Sequence, residues 1–464
     1  MIQKCLFSFF LITQLAMAQT IAPTQVLTLD EYLGFIKEFH PLVKQANLVV
    51  SEAQAGILAA RGGFDPKIEV DYEKKQFKSS DYFDILNGTF KIPTWYGVEV
   101  KAGFEQADGI YLNPERTYPA SGLATLGISV PVGQGLFINK RMADLRKAKI
   151  YQQLSFAERD LEVTNILHEA IVAYFNWYQN QLEYDLYNTF LKNAEIRLKG
   201  IRDLIKAGDR PGIDSVEAGI TLKNRALGLE QSRIKLRKAT LELSNYLWLE
   251  NGTPLELQES MVPEIDLEKK IATILQTNGL LMSEVDLENH PKIRALRNKV
   301  QVLEVERKVA ADLLKPRLDL NYNYLSEPVY IRDFNVVNYK YGLTFSMPIF
   351  LRKERGNLKI AKFRLQEANL DLDFENLALK NKIDYQMQEI NSINLQLNIT
   401  QELADDFQKL LTAEERLFFF GESSIFILNA RENSFLSSNL TLIKTKLDFC
   451  LSHAALFNVL ARNL

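Results

Sequence analysis

The residues best able to do chemistry in this sequence are too scattered to form an active site. The four histidines are His40, His168, His290 and His453. His168-Glu169 could begin a zinc motif, but Val172 stands where a second ligand one helical turn later would be needed. His40 and His290 each precede a proline, which predicts a role at a helix junction. No acid, base and nucleophile cluster is visible, so an enzyme is not predicted.

A short glycine motif, Gly133-Gln134-Gly135, lies between a predicted strand and a predicted helix. It has neither a third glycine nor a following Lys-Ser or Lys-Thr pair, so it does not predict a nucleotide site. Glycine instead allows the chain to bend from strand to helix. We therefore predict no catalytic, cofactor-binding or metal-binding residues.

The charges exclude another class of protein. The chain has 464 residues, with 55 Lys+Arg against 58 Asp+Glu, so its net charge of −3 argues against binding to nucleic acid. Basic residues cluster where two long helical runs begin: Lys140, Arg141, Arg146, Lys147, Lys149, and Arg352, Lys353, Arg355, Lys359, Lys362. These clusters are either solvated helix faces or sites of attraction to anionic groups at a membrane boundary.

The first residues predict export. Lys4, the apolar run from residue 6 to 15 and Ala16-Met17-Ala18 have the pattern of a secretory signal, so residues 1–18 are predicted to be removed. Cys450 is then the only cysteine left, which excludes a framework of intrachain disulfides. No later run of about 18 apolar residues occurs, so no transmembrane helix is predicted.

An internal repeat organises the rest of the chain. The recurring motifs are His40-Pro41 with His290-Pro291, Pro66-Lys67-Ile68 with Pro316-Arg317-Leu318, and Gly208 with Gly421. The first two pairs are 250 residues apart and the third is 213 apart, so the first copy holds 37 additional residues. We predict a first repeat over 19–252, a linker over 253–279 and a second repeat over 280–464.

Each copy contains a very long helical run, over 139–207 and 352–420, without proline. At about 1.5 Å per residue, each helix is roughly 100 Å long, which only an extended coiled bundle can accommodate. The predicted seam residues are Leu154, Leu161, Ile166, Ile171, Tyr174 and Tyr178, and Leu365, Leu370, Leu372, Leu377 and Leu379. A curved wall that is wet on both faces and a solid bundle both fit this pattern.

Strand segments alternate apolar and polar residues. From 317 to 324 the leucines and tyrosines share one face and Arg, Asp and Asn the other, and 338–347 repeats the pattern. Such segments are typical of outer-membrane strands, although a half-buried hairpin has the same period. The first copy has three segments, 67–72, 97–104 and 125–130. Three spanning strands would leave the chain on the wrong side of the membrane. Either the middle segment, within 78–122, is therefore an extracellular elaboration, or the strand assignment is wrong.

Four spanning strands per chain cannot close a pore, since the smallest membrane barrels use eight, so several copies must pool their strands. The two glycine turns carry the motifs Gly208-Asp209-Arg210-Pro211-Gly212-Ile213-Asp214-Ser215-Val216-Glu217-Ala218 and Gly421-Glu422-Ser423-Ser424-Ile425-Phe426-Ile427-Leu428-Asn429-Ala430-Arg431. The second motif is a glycine followed by a hydroxyl residue and then Leu-Asn-Ala. Together with the internal repeat, these motifs make the chain resemble the TolC-type outer-membrane efflux factor family over essentially its whole mature length.

The resemblance implies a mixed α/β membrane protein with two structural repeats. Three copies would form a twelve-stranded outer-membrane β-barrel, four strands per chain, continued by a long periplasmic α-helical barrel. The implied function is a passive exit duct of a tripartite efflux or type I secretion system in a Gram-negative outer membrane. Its partners would be outer-membrane lipid, a periplasmic adaptor (membrane fusion) protein and an inner-membrane pump, which selects the exported substrate.

The alternative is a soluble periplasmic coiled-coil scaffold. The alternating Tyr and Leu face argues against it, because that face would be an aggregation hazard in water.

The resemblance also assigns residues to the periplasmic tip. The predicted tip and adaptor-docking residues are Gly208, Asp214, Gly421, Ser423 and Ser424. Asp214 matches the family's tip acid, whereas Ser423 stands where some relatives carry its basic partner. The acids that ring the family's aperture fall on Phe426 and Asn429, so a less acidic aperture closed by Phe426 is predicted. The other possibility is that Phe426 packs between helices and lines nothing.

Overall fold

The computed structural model describes residues 25–258, 260–279, 285–330 and 335–462. The predicted signal peptide, residues 1–18, lies outside the described residues. The helices are α1 (Leu29–Phe39), α2 (Pro41–Arg61), α3 (Lys140–Ala207), α4 (Ile213–Ser244), α5 (Leu267–Ile274), α6 (Pro291–Asp312), α7 (Arg352–Phe419) and α8 (Ile425–Leu460). The strands are β1 (Gln25–Leu27), β2 (Lys67–Phe77), β3 (Ser80–Pro93), β4 (Glu99–Asp108), β5 (Leu123–Pro131), β6 (Met261–Pro263), β7 (Arg317–Ser326) and β8 (Tyr339–Ser346).

The two long helices are present as predicted. Both α3 and α7 have 68 residues, so each is roughly 100 Å long. Asn139 begins α3 by accepting a hydrogen bond from the Met142 amide (2.9 Å), and Gly208 ends it in the left-handed conformation (φ 84°) that glycine adopts without strain. Helix α3 packs along α4, α7 packs along α8, and contacts between α3 and α8 join the two pairs.

The histidine–proline repeats begin helices. His40 and His290 are the N-caps of α2 and α6, where Nδ1 of each ring accepts a hydrogen bond from the backbone amide two residues later, at 3.3 and 3.2 Å. The proline that follows each histidine occupies the first helical position, where a missing N–H costs nothing. The predicted junction role of these histidines is therefore confirmed.

Six strands form one antiparallel sheet, in the order β2-β3-β4-β5-β7-β8. Five of these strands lie at the segments that the sequence predicts, and β3 was not predicted. The middle segment, 97–104, belongs to β4 of this same sheet, paired with β3 on one side and β5 on the other. With β3 counted, the first copy contributes four strands, an even number, so the chain returns to the helical end.

The main core lies halfway along the bundle. It is built from the middle of α3, including Tyr174, Phe175 and Trp177, which are almost fully buried, and from α1, α5 and the last turns of α4 and α8. The predicted linker is part of it, since α5 buries Leu267 and Ile271 completely and β6 pairs in parallel with β1. The Tyr174 hydroxyl donates to the Leu27 carbonyl (2.6 Å) and so ties β1 to α3.

The predicted helical seam holds better in α3 than in α7. Leu154, Ile166, Ile171, Tyr174 and Tyr178 are all buried, whereas α7 exposes a row of large apolar side chains. Leu370 and Leu377, two predicted seam residues, are 61% and 59% exposed. Within the described part of the chain, no helix has an apolar stretch long enough to cross a membrane.

Candidate functional site: the tip of the helical bundle

The two glycine turns lie side by side at the end of the bundle farthest from the six-stranded sheet. Gly208 and Gly421, with φ of 84° and 80°, end the two long helices in the left-handed region that favours glycine. A small core gathers all four helices beneath the turns, and its buried members are Leu198, Ile201, Ala218, Leu411, Ile425 and Leu428. The structure therefore brings the predicted tip motifs of both repeats together within one chain.

Arg210 joins the first turn to the second. Its guanidinium lies over the Phe418 ring, 4.6 Å from the centroid, and donates at 3.4 Å to the carbonyl oxygens of Phe418 and Ser423. A cation is favourable here because the last carbonyls of a helix carry partial negative charge. A basic residue of the first turn thus binds the second turn, an arrangement that sequence reasoning missed.

The two predicted serines have local roles. Ser424 is the N-cap of α8 and accepts a hydrogen bond from the Ile427 amide (3.3 Å). The Ser423 hydroxyl donates to the Glu414 carboxylate, whose other oxygen lies 3.9 Å from the Arg431 guanidinium. Asp214 lies half-buried in the first turn of α4, where the helix dipole favours an acid.

The two predicted aperture residues have different environments. Phe426 is 71% exposed, so within this chain it is not packed between helices. Asn429 is buried at 6% exposure, and its side-chain nitrogen donates to the Glu217 carboxylate (3.2 Å) on α4. The Asn429 side-chain oxygen is buried without a hydrogen-bond partner. Of the two, Phe426 is therefore the side chain free to meet another chain or the pore.

Phe426 belongs to an exposed apolar group at the tip. Phe419 and Phe420, at the end of α7, are 84% and 73% exposed, and Ile213 and Val216 of α4 are 67% and 54% exposed. Several large apolar side chains exposed at one end of a protein are typical of a contact with another molecule. The run Phe418-Phe419-Phe420 before the glycine was the available sequence signal for this surface.

Buried charges cross the bundle above the tip. Glu432 of α8 is 1% exposed and pairs with Arg197 of α3 and, at 3.4 Å, with Arg225 of α4. Arg225 also donates to the Asn433 side chain (2.6 Å), and Arg197 lies 3.6 Å from Glu415 of α7. We call these five residues the buried charge network.

The opposite charges of the buried charge network stabilise one another. Burial lowers the pKa of the Arg197 and Arg225 guanidinium groups, because removal from water disfavours a charge. Arginine remains protonated under such a shift, so Arg225 depends on the Glu432 carboxylate, and Arg197 depends on those of Glu432 and Glu415. The network therefore connects α3, α4, α7 and α8 of one chain electrostatically.

Chemistry other than contact is not evident at this site. Among the residues that the structure describes, no three His, Cys, Asp or Glu side chains lie close enough together to hold a metal ion. His168 and His453, which are not helix caps, contact the Ala454 carbonyl (3.2 Å) and the Thr277 hydroxyl (2.7 Å) in the core. Burial raises the pKa of the Cys450 thiol, which disfavours the reactive thiolate form.

Known proteins share this fold. The family described as outer membrane efflux protein matches residues 283–462. The Campylobacter jejuni CmeC outer membrane channel is 13% identical, with a TM-score of 0.65 over 93% of this chain and 85% of its own. The open Neisseria gonorrhoeae MtrE channel and Vibrio cholerae VceC are each 14% identical at a TM-score of 0.64, over 93% of this chain and 88% and 96% of theirs.

No functionally curated protein is significantly similar in sequence. The family match covers residues 283–462, and the shared fold extends over 93% of this chain. Together, the family match and the shared fold confirm that this chain resembles the TolC-type outer-membrane efflux factor family.

Proposed function

We propose that this protein is a passive outer-membrane exit duct that works as a homotrimer with a periplasmic adaptor and an inner-membrane pump. The six-stranded sheet would lie in the outer membrane and the helices would extend through the periplasm. Three chains would surround a common axis, and the glycine turns would form the periplasmic tip.

One observation carries this proposal. A single chain joins an amphipathic sheet with two unpaired edges, β2 and β8, to helices roughly 100 Å long. Unpaired strand edges cannot remain inside a bilayer, because lipid offers their N–H and C=O groups no hydrogen-bond partners. The edges therefore need strands from further copies, and the exposed apolar row of α7 needs further helices.

The tip surface supports closure by aromatic contact. Phe426, Phe419 and Phe420 are exposed on each chain, and three copies around one axis would bring such side chains together. Glu432, by contrast, is sequestered within its own chain. We therefore propose that the closed tip is sealed by phenylalanines rather than by acids, while Ile213 and Val216 of α4 contribute to adaptor docking.

The test is conductance of the trimer in a planar bilayer. We expect protein extracted from the outer membrane to migrate as a heat-sensitive trimer and to give small, mostly closed currents. Phe426→Ala should raise the open fraction several-fold, because it removes an apolar contact from the seal. Ile265→Ala is the control, since Ile265 is similarly exposed, at 79%, but lies between β6 and α5, away from both the tip and the apolar row of α7.

Three outcomes are distinguishable. Higher conductance in Phe426→Ala alone supports a duct with its constriction at Phe426. Equal currents in both variants and the parent would refute the aromatic seal while leaving the duct intact. Recovery as a water-soluble monomer without conductance would refute the duct itself.

A further inference from the structure

The first repeat contains a hairpin, β3–β4, that has no counterpart among the described residues of the second repeat. It accounts for the 37 additional residues of the first copy. Its strands have 14 and 10 residues, as long as the strands on either side. About 9–11 residues suffice for a tilted strand to cross a bilayer, so both strands are long enough to do so.

The β3–β4 turn lies at the helical end of the sheet. The Trp95 carbonyl in this turn accepts a hydrogen bond from the Asn139 side chain (2.9 Å), which caps α3. The Trp95 ring stacks on Phe64, just beyond α2, at 5.6 Å, and the Arg146 guanidinium of α3 lies 5.6 Å from the ring. The hairpin therefore extends over the full height of the sheet and returns.

The hairpin continues the apolar face without a break. One row of directly paired residues crosses all six strands, and its members are Ile68, Phe90, Ala102, Leu126, Tyr324 and Tyr339. The adjacent row, on the opposite face, is polar except at Gly127, and its members are Lys67, Lys91, Lys101, Gly127, Asn323 and Lys340. A hairpin exposed to water on both faces would not need to continue the apolar face and the polar face of the neighbouring strands.

The register gives the strands a common tilt. From β2 to β8, the members of the apolar row lie one, three, three, five, seven and seven residues from the helical end of their strands. Six residues of stagger at about 3.4 Å, over five spacings of about 4.8 Å, correspond to a tilt of about 40°. The strands of membrane barrels are tilted by about 35–45°. The stagger of the apolar row at β3 and β4 is in line with its stagger at the other four strands.

Ion pairs connect the hairpin to the rest of the polar face. Lys91 of β3 pairs with Glu69 of β2, and Glu99 of β4 pairs with Arg141 of α3 at 2.8 Å. Arg141 and Arg146 belong to the basic cluster that opens α3. Part of that cluster is thus used to fix the hairpin at the junction between sheet and helices.

We infer that β3 and β4 are wall strands of the membrane channel, so that each copy contributes six strands rather than four. The inference rests on the proposed trimeric duct. With six strands from each of three copies, eighteen strands close the barrel. Strands alternate in direction along the sheet, so β8 of one copy meets β2 of the next in antiparallel orientation.

The strand count sets the width of the pore. At a spacing of about 4.8 Å and a tilt of about 40°, eighteen strands give a backbone diameter of about 36 Å, against about 24 Å for twelve. The cross-section is then roughly twice as large. Barrels of 16–18 strands leave an aqueous channel, so a duct of this width conducts bulky solutes through its membrane segment.

Spin labels on single cysteines test this arrangement in the trimer reconstituted in lipid, in a Cys450→Ala background. Phe90→Cys and Ala102→Cys place labels on the apolar face of the hairpin, and Thr89→Cys places one on the polar face. Ile128→Cys on β5 is the matched control, because β5 is a wall strand whichever count holds. Accessibility to oxygen reports lipid, and accessibility to a water-soluble nickel chelate reports water.

We expect the labels at 90 and 102 to match the control, with oxygen accessibility several-fold above that of the label at 89. Water exposure at 90 and 102 with a lipid-exposed control would overturn the six-strand wall and leave the duct standing. Water exposure of the control itself would refute the duct, and the inference with it. Electron-microscopic projections give a second measurement, in which a diameter near 24 Å instead of 36 Å overturns eighteen strands.

Discussion

Neutralising Glu432 is the most informative single change in the helical bundle. Glu432→Gln keeps the shape of the side chain and removes the one charge that both buried arginines share. The Glu432 side chain is 2% exposed, Arg225 6% and Arg197 14%, so water cannot replace the lost partner. Glu415, itself half exposed, still faces Arg197, whereas Arg225 loses its only anion in the network.

The expected cost follows from this burial. Removing one partner of a buried ion pair costs roughly 3–5 kcal/mol, because it leaves an uncompensated charge. About 3 kcal/mol corresponds to a change of about 100-fold in an equilibrium between closed and locally open states. Arg225→Met should cost less, because Arg197 and Glu432 then remain as a balanced pair. The double variant Glu432→Gln with Arg225→Met should cost less than the sum of the single variants.

Amide hydrogen exchange measures the loss of stability near residue 432. Residues of α8 around Glu432 should exchange at least about 100-fold faster in Glu432→Gln than in the parent, since exchange there reports the local opening equilibrium. The control is Glu230→Gln, which breaks an exposed pair with Arg233 (2.7 Å) on the surface of α4 and should leave exchange unchanged.

The reasoning fails if Glu432→Gln exchanges like the parent, or if the two single variants add in the double variant. Either result would mean that water or a structural shift compensates the arginines. Equal acceleration in the Glu230→Gln control would instead show that loss of any acidic side chain loosens the helices.

Two further predictions concern the bundle. A Cβ at Gly228 would lie 2.3 Å from the Tyr187 ring, so Gly228→Ala should lower the apparent melting midpoint followed by circular dichroism. Gly219 has open space around it, so Gly219→Ala should leave the midpoint unchanged or raise it, because alanine is favoured over glycine in a helix by up to about 1 kcal/mol. A lower midpoint in both would contradict this packing argument. Burial lowers the pKa of His453 to about 4 from 6.5, so the unfolded chain takes up its proton first, and stability should fall as the pH drops from 6.5 to 4. This loss should be smaller in His453→Gln, which keeps a polar partner for Thr277, and an equal loss would refute the role of His453.

The sequence predicted the features that depend on the spacing of residues along the chain. The long helices, the histidine caps and the glycine turns follow from spacing, and the structure has them within a residue or two. Strand β3 was missed because its outer half breaks the alternation, with Tyr82-Phe83 and Ile85-Leu86 as adjacent apolar pairs. At that end the Tyr82 ring packs against the Tyr111 ring of the loop after β4 (4.6 Å between centroids) and Ile85 is buried, so both faces of the strand contact protein.

The buried charge network could not be predicted for a different reason. Arg197, Arg225 and Glu432 sit among many charged residues on helices whose charges are mostly solvated. Their burial depends on which faces of α3, α4 and α8 meet, and Glu432 of α8 is 207 residues away from Arg225 in the chain. The contacts of Arg210 could not be predicted either. Its partners are backbone carbonyl groups at the second glycine turn, and a pattern of side chains does not indicate backbone contacts.

The contrast between the two kinds of tip contact bears on how the proposed duct would open. Within a chain, the buried charge network makes separation of α8 from α3 and α4 costly, by the same roughly 3–5 kcal/mol that Glu432→Gln forfeits. Between chains of the proposed trimer, the exposed phenylalanines would offer only apolar contacts, which are non-directional and reform easily after sliding. The motion of lower cost would therefore move the four helices of each chain as one body and separate Phe426 from the neighbouring copies. An opening that splayed α7 and α8 from α3 and α4 would have to break the network first.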